Sequence, residues 1–135
     1  SMVRLSYTKG RMADYKSLIG RQWLYGKFDC YSIIKDYYEL LGITIPDFKR
    51  PKNLVTTESI FMKEAPKNNF KLVHFDDRKE NDMLIMQLGT NNPMHGAIFL
   101  KDNRILHQKY ESLSCIENYS SYYRRNTKAV FRYGK

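Results

Sequence analysis

The stretch from Trp23 to Asp47 constrains the fold more than any other part of the chain. Within it, Ile33, Ile34, Tyr37, Leu40 and Leu41 form one apolar stripe at helical spacing. Gly42 suits the residue that closes a helix, and Pro46 cannot extend one, so the helix is expected to stop there. Gly26 and Asp29 mark its start, Asp29 being a good N-cap type. Cys30 therefore falls in the first turn. Unpaired N–H groups and the helix dipole favour an anion at that point. The expected result is a thiol of lowered pKa, nucleophilic near neutral pH. The competing reading is a small buried core residue.

A chain of 135 residues can bury a real core without staples, so one domain spanning 1–135 is expected, with 1–19 as lead-in and 20–135 as core. No apolar run is long enough to cross a membrane, and no N-terminal stretch has a signal-peptide pattern. Two cysteines do not suggest a disulfide framework, and Cys115, in a polar context, reads as structural. The formal charge of +9 is spread along the chain, dense only at Lys49-Arg50-Pro51-Lys52 and Arg124-Arg125. Such a charge attracts anionic polymers, nucleic acid or bacterial cell wall alike. No helix-turn-helix, finger or ribonucleoprotein motif supports specific nucleic-acid binding.

Residues 3–10 read as a polar-aromatic lead-in and 12–18 as a helical turn or two. A loop from Gly20 to Gly26, anchored by Trp23 and Tyr25, crosses toward the Cys30 helix. A short helix is expected from Thr57, as cap, to Ala65, stopped by Pro66. From Phe70 the pattern turns to strands: 70–75, 83–86, a hairpin of 95–100 and 104–108 about a turn at 101–103, and 129–133. The segment 113–123 suits an edge strand followed by a short helix. A helix followed by a run of antiparallel strands makes an α+β fold.

The chain has three histidines, and two of them flank the hairpin. A three-residue turn at 101–103 pairs Leu100 with Arg104 and sets residue 97 opposite residue 107. His107 then lies diagonally beside His95 on one face of the sheet. A two-residue turn would break this parity. Granted that face, the constellation is that of a thiol nucleophile: Cys30 at a helix start, His95 to take its proton, and His107 to hold the tautomer of His95. A zinc site from Cys30, His95 and His107 is the alternative, but the short paired spacings of structural zinc sites are missing. No metal or cofactor is expected.

Gly26-Lys27-Phe28-Asp29-Cys30, the helix ending in Gly42-Ile43-Thr44-Ile45-Pro46, Asn81-Asp82-Met83-Leu84-Ile85-Met86, His95-Gly96-Ala97-Ile98-Phe99-Leu100 and Ile105-Leu106-His107 resemble, in order, the blocks of NlpC-type cell-wall cysteine peptidases. Asp29-Cys30-Tyr31-Ser32, Ile45-Pro46-Asp47-Phe48 and Met86-Gln87 resemble most the version in tail-tip assembly proteins of long-tailed phages.

The resemblance implies a papain-like fold, with an N-terminal helix bearing the nucleophile packed on an antiparallel sheet. It also implies hydrolysis of peptidoglycan stem peptides, typically at the γ-D-glutamyl–diaminopimelate bond. Cys30 becomes the nucleophile, His95 the base and His107 the third member, with the Cys30 backbone N–H in the oxyanion hole. Trp23, Tyr25, Asp29 and Tyr31 are the implied substrate-binding residues. Asn81 replaces the family's usual Gly before Asp82, at a turn position that Asn can adopt. The implied partners are peptidoglycan peptide and other phage tail proteins. The implied location is a virion tail tip acting at the cell wall. A tail-assembly module with little hydrolysis, or an amidase or acyltransferase of the same superfamily, are the alternatives. The chain is expected to be a free-standing version or an excised domain.

Overall fold

Asp29 starts the principal helix, α1 (Cys30–Leu40), by accepting from the N–H groups of Tyr31 and Ser32. The other end closes with Gly42 in the left-handed region at φ +85°. There Gly42 N–H donates to the Glu39 carbonyl and Ile43 N–H to that of Tyr38, a Schellman closure. The computed structural model describes residues 14–53 and 58–134. The expected lead-in at 3–10 and the start of the turn at 12–18 lie outside them; the described part of that turn is a 3-10 helix at Lys16–Leu18.

The buried stripe of α1 is Ile33, Ile34, Tyr37, Tyr38 and Leu41, while Leu40, expected in it, is 39% exposed. Tyr38 takes its place because its hydroxyl has a partner inside: it donates to the Asn81 carbonyl at 2.7 Å. Tyr37 beside it donates to Asn81 Oδ1. A buried tyrosine costs little when its polar end is satisfied. Asn81 itself sits at φ +76°, the left-handed conformation expected of this turn position.

After α1 come a short helix α2 (Ile60–Glu64) and the strands β1 (Phe70–Val73), β2 (Met83–Met86), β3 (His95–Leu100), β4 (Arg104–His107) and β5 (Cys115–Asn118). Helix α3 (Ser121–Arg125) and strand β6 (Thr127–Tyr133) complete the order. The expected cap Thr57 lies outside the described residues; α2 is capped by Ser59, whose Oγ accepts from Met62 N–H. The strands form one antiparallel sheet in the order β1-β6-β2-β3-β4-β5. The chain is α+β, as expected.

Period-two alternation divides the sheet between two cores. Ile85, Ile98, Leu100, Leu106 and Phe131 pack with the α1 stripe. Leu84, Ala97, Ile105 and Val130 pack with Tyr119 and Tyr123 on the opposite side. Helix α1 lies across β3 and β4, and at Gly96 the approach leaves no room for a side chain. A methyl group there would stand 2.9 Å from Phe61 Cζ and would overlap the Ile34 side chain. Gly96→Ala is therefore expected to destabilise the protein by about 1–3 kcal/mol through overpacking, read as a lower urea midpoint.

Candidate active site

The Asp29 carboxylate does more than cap a helix. Oδ2 accepts from Gly26 N–H at 2.8 Å and from Arg50 Nε at 2.8 Å. Oδ1 accepts from Tyr31 N–H, Ser32 N–H, the Ser32 hydroxyl and Arg50 Nη2. Burial alone would raise the Asp29 carboxyl, but Arg50 and these N–H groups outweigh it and hold the carboxyl below its usual value. Asp29 thus fixes the loop, the helix start and Arg50 together, and Cys30 follows it as the first helical residue.

The hairpin has the parity that the three-residue turn requires. Leu100 pairs with Arg104 and Ala97 with His107. Asp102 and Asn103 take left-handed φ values of +60° and +55° to make the turn. His95 Nε2 lies 2.9 Å from His107 Nδ1, and both rings are buried. On its far side His107 Nε2 lies 2.6 Å from Glu117 Oε2. Glu117 was missed in the sequence because it stands on β5, whose alternation is weak. The one available signal was its position two residues after Cys115, on an edge strand beside β4.

Cys30 and His95 line one cavity of about 420 Å³. Trp23, Tyr25, Asp29 and Tyr31, the expected substrate-binding residues, also line it. Trp23 stacks on Tyr25 at 5.8 Å and meets Tyr110 at 4.7 Å between centroids, which makes an aromatic wall. This wall is tied to the sheet through Ser114, which donates to the Leu18 carbonyl and accepts from Arg21 N–H. Tyr31 donates its hydroxyl to the Pro46 carbonyl, and Tyr25 donates to that of Pro51. What Tyr25 and Tyr31 offer to the cavity is therefore mainly their rings. His74 stands apart, exposed on the surface.

The electrostatics depart from the sequence expectation at the thiol. Burial and the Asp29 carboxylate push Cys30 up to about 12, against the opposing pull of Gly96 N–H, Arg50 and its own N–H. The thiol donates to the Met94 carbonyl at 3.6 Å. The residue that defines the helix start thus brings a negative charge beside the sulfur, and enclosure reverses the lowering that a helix terminus alone would cause. Burial, then His107 and Lys109, hold His95 well below its ordinary value. Burial also lowers His107, although Glu117 opposes the shift. All three shifts favour the uncharged forms, of the thiol and of both imidazoles.

Among the described residues, His107, Cys115 and Glu117 bring ligand-type atoms within 4.8 Å of one another. The Lys109 ammonium, 3.9 Å from the same carboxylate, opposes a cation there. The combination of Cys30, His95 and His107 does not form such a group. No helix among the described residues is long and apolar enough to cross a membrane.

A cysteine at a helix start, sharing a cavity with a paired histidine on an antiparallel sheet, is the arrangement of the papain-like fold. Within that class the chain belongs to the NlpC/P60 family, whose model matches residues 20–132. Its members are generally cell-wall peptidases. The chain is 30% identical over 117 residues to the tail tip assembly protein K of Escherichia phage lambda, covering 86% of this chain and 59% of that protein. It is 26% identical over 126 residues to the corresponding protein of Escherichia phage N15, covering 86% and 49%. The chain thus spans about half the length of these relatives. An NlpC/P60 family protein from Bacillus cereus superposes with a TM-score of 0.61 at 19% identity, over 87% of this chain and 37% of that one.

Two measurements test this electrostatic picture. With no preformed thiolate, alkylation of Cys30 is expected to keep accelerating above pH 9; a plateau below pH 8 would contradict it. The histidines also link stability to pH. Their folded pKa values lie below the unfolded value of about 6.5, so the unfolded chain binds more protons in acid. Their contribution is complete above about pH 6.5 and is lost as pH falls through the folded values. Thermal midpoints are expected to drop below that pH in wild type, and to drop less in His95→Gln.

Proposed function

We propose that the chain is a cysteine peptidase that cleaves peptide bonds of peptidoglycan stems, typically the γ-D-glutamyl–diaminopimelate bond. The observation that carries this reading is the cavity shared by Cys30 and His95, with His95 backed by His107. His95 takes the thiol proton as sulfur attacks the scissile carbonyl, so the ions form only as the bond forms. Cys30 opens α1, and its N–H is one of the groups with no intrahelical acceptor. It stabilises the oxyanion there. Collapse of the tetrahedral intermediate returns the proton from His95 to the leaving amine and leaves a thioester. Water, deprotonated by His95, then hydrolyses the thioester and restores the thiol.

The aromatic wall and the Arg50–Asp29 pair border the space that the substrate would occupy beside Cys30. The net charge of +9 favours approach to anionic wall polymers. The likeness to tail tip assembly proteins of phages lambda and N15 supports a place in a virion tail tip, among other tail proteins, with local wall degradation for DNA entry. The same likeness favours the second reading, a tail-assembly module with little hydrolysis.

Incubation with purified sacculi and defined stem peptides, followed by mass spectrometry of the products, separates the two. Wild type is expected to release new amino termini. Cys30→Ala should lose activity by on the order of 10³-fold or more while remaining folded. His95→Ala should lose nearly as much, and His107→Ala less. Equal release by wild type and Cys30→Ala would rule out the thiol mechanism, and no release by wild type would favour the assembly reading.

A further inference from the structure

Glu117 is the most heavily engaged carboxylate near the cavity after Asp29. Its Oε2 lies 2.6 Å from His107 Nε2, accepts from the Tyr123 hydroxyl at 3.1 Å and from the Cys115 thiol at 3.7 Å, and lies 3.9 Å from Lys109 Nζ. The Tyr123 ring stands edge-on to His107, with centroids 5.2 Å apart at 87°. Burial would raise the Glu117 carboxyl, but His107, Lys109 and Tyr123 outweigh it and keep it below its ordinary value. The group facing His107 is therefore a carboxylate, and a carboxylate can only accept.

That single fact propagates through two rings. A neutral imidazole carries one N–H. His107 must place its proton on Nε2, toward Glu117, which leaves Nδ1 bare. Nδ1 lies 2.9 Å from His95 Nε2, so it accepts and His95 must carry its proton on Nε2. The bare nitrogen of His95 is then Nδ1, the one that does not face His107. With either ring in the other tautomer, two lone pairs would meet at hydrogen-bond distance.

We propose that Glu117 is a positioning residue that sets the tautomers of His107 and His95 and so makes His95 Nδ1 the base. The inference rests on the reading of Cys30 as nucleophile and His95 as its base. When His95 Nδ1 takes the thiol proton, the ring becomes an imidazolium whose Nε2–H points at His107 Nδ1. The positive charge then faces Glu117 through one intervening ring, and Glu117 stabilises it. Return of the same proton to the leaving amine restores both neutral rings, so no proton is gained or lost. The competing account is an edge-strand ion pair with Lys109, but both of those side chains are substantially exposed, at 36% and 44%, and such a pair contributes little.

Long-range ¹H–¹⁵N spectra of the imidazole rings test this without reference to activity, in wild type and in Cys30→Ala. Both rings are expected as the Nε2–H tautomer. In Glu117→Ala, or in Glu117→Leu if the smaller side chain unfolds the edge strand, His107 is expected to shift to a mixture of tautomers. Peptidase assays add a second readout. Glu117→Ala should lower kcat on the order of 100-fold with KM changed less than about twofold. Added formate should restore part of the loss, and chloride should not. His107 found as the Nδ1–H tautomer in wild type, or tautomers unchanged in the folded Glu117 variants, would overturn the proposal. If the tautomers behave as expected but wild type cleaves no stem peptide, it is the peptidase reading that fails.

Discussion

Six donors converge on the two oxygens of Asp29, and the position of Cys30 depends on them. A helix terminus normally frays by a residue or two. Here the Asp29 carboxylate holds the incoming loop at Gly26, the first turn at Tyr31 and Ser32, and Arg50 from a segment 21 positions further on. Arg50 is itself nearly buried and is closed off by Asp47 and the Phe48 carbonyl. A buried charge pair is not a strong source of stability in itself, but leaving either member alone is costly. The pair therefore acts as a register pin, fixing which residue begins α1 and where its sulfur lies.

The opposite wall of the site is pinned by a different device. Antiparallel register is sensitive to a single residue, since one step turns every side chain to the other face. The left-handed residues Asp102 and Asn103 make the turn length odd, and the β3–β4 ladder then carries His107 onto the face of His95. Gly96, between His95 and Ala97, points to the other face and lets α1 approach β3. Adjacent residues thus serve two purposes. His95 pairs with His107, and Gly96 admits the helix that brings Cys30 to the same cavity.

Much of this was legible because it is local. The Asp29 cap, the Gly42 closure, the hairpin parity and the left-handed Asn81 each follow from a few neighbouring residues whose chemistry allows one conformation. The misreadings have long-range causes. Tyr38 displaces Leu40 from the buried stripe only because Asn81, far along the chain, accepts its hydroxyl. Arg50 reads in sequence as one member of a dense basic run, because nothing near it announces a buried partner. Glu117 joins His107 through an edge strand whose residues hardly alternate in burial, so neither its strand nor its face could be read.

The thiol is where local and global physics disagree most. Helix position favours its anion; enclosure and the Asp29 charge oppose it more strongly, and burial also disfavours the charged form of the His95 imidazole that lines the same cavity. A site assembled this way holds its charge separation in reserve. In the proposed mechanism, proton transfer from Cys30 to His95 becomes favourable only when negative charge moves off sulfur onto a substrate oxygen beside the helix N–H groups, while positive charge spreads toward His107 and Glu117. Both stabilising groups lie at the far ends of that displacement, one in α1 and one on β5. The network then matches the charge distribution of the reacting complex rather than that of the resting protein, as electrostatic preorganisation requires.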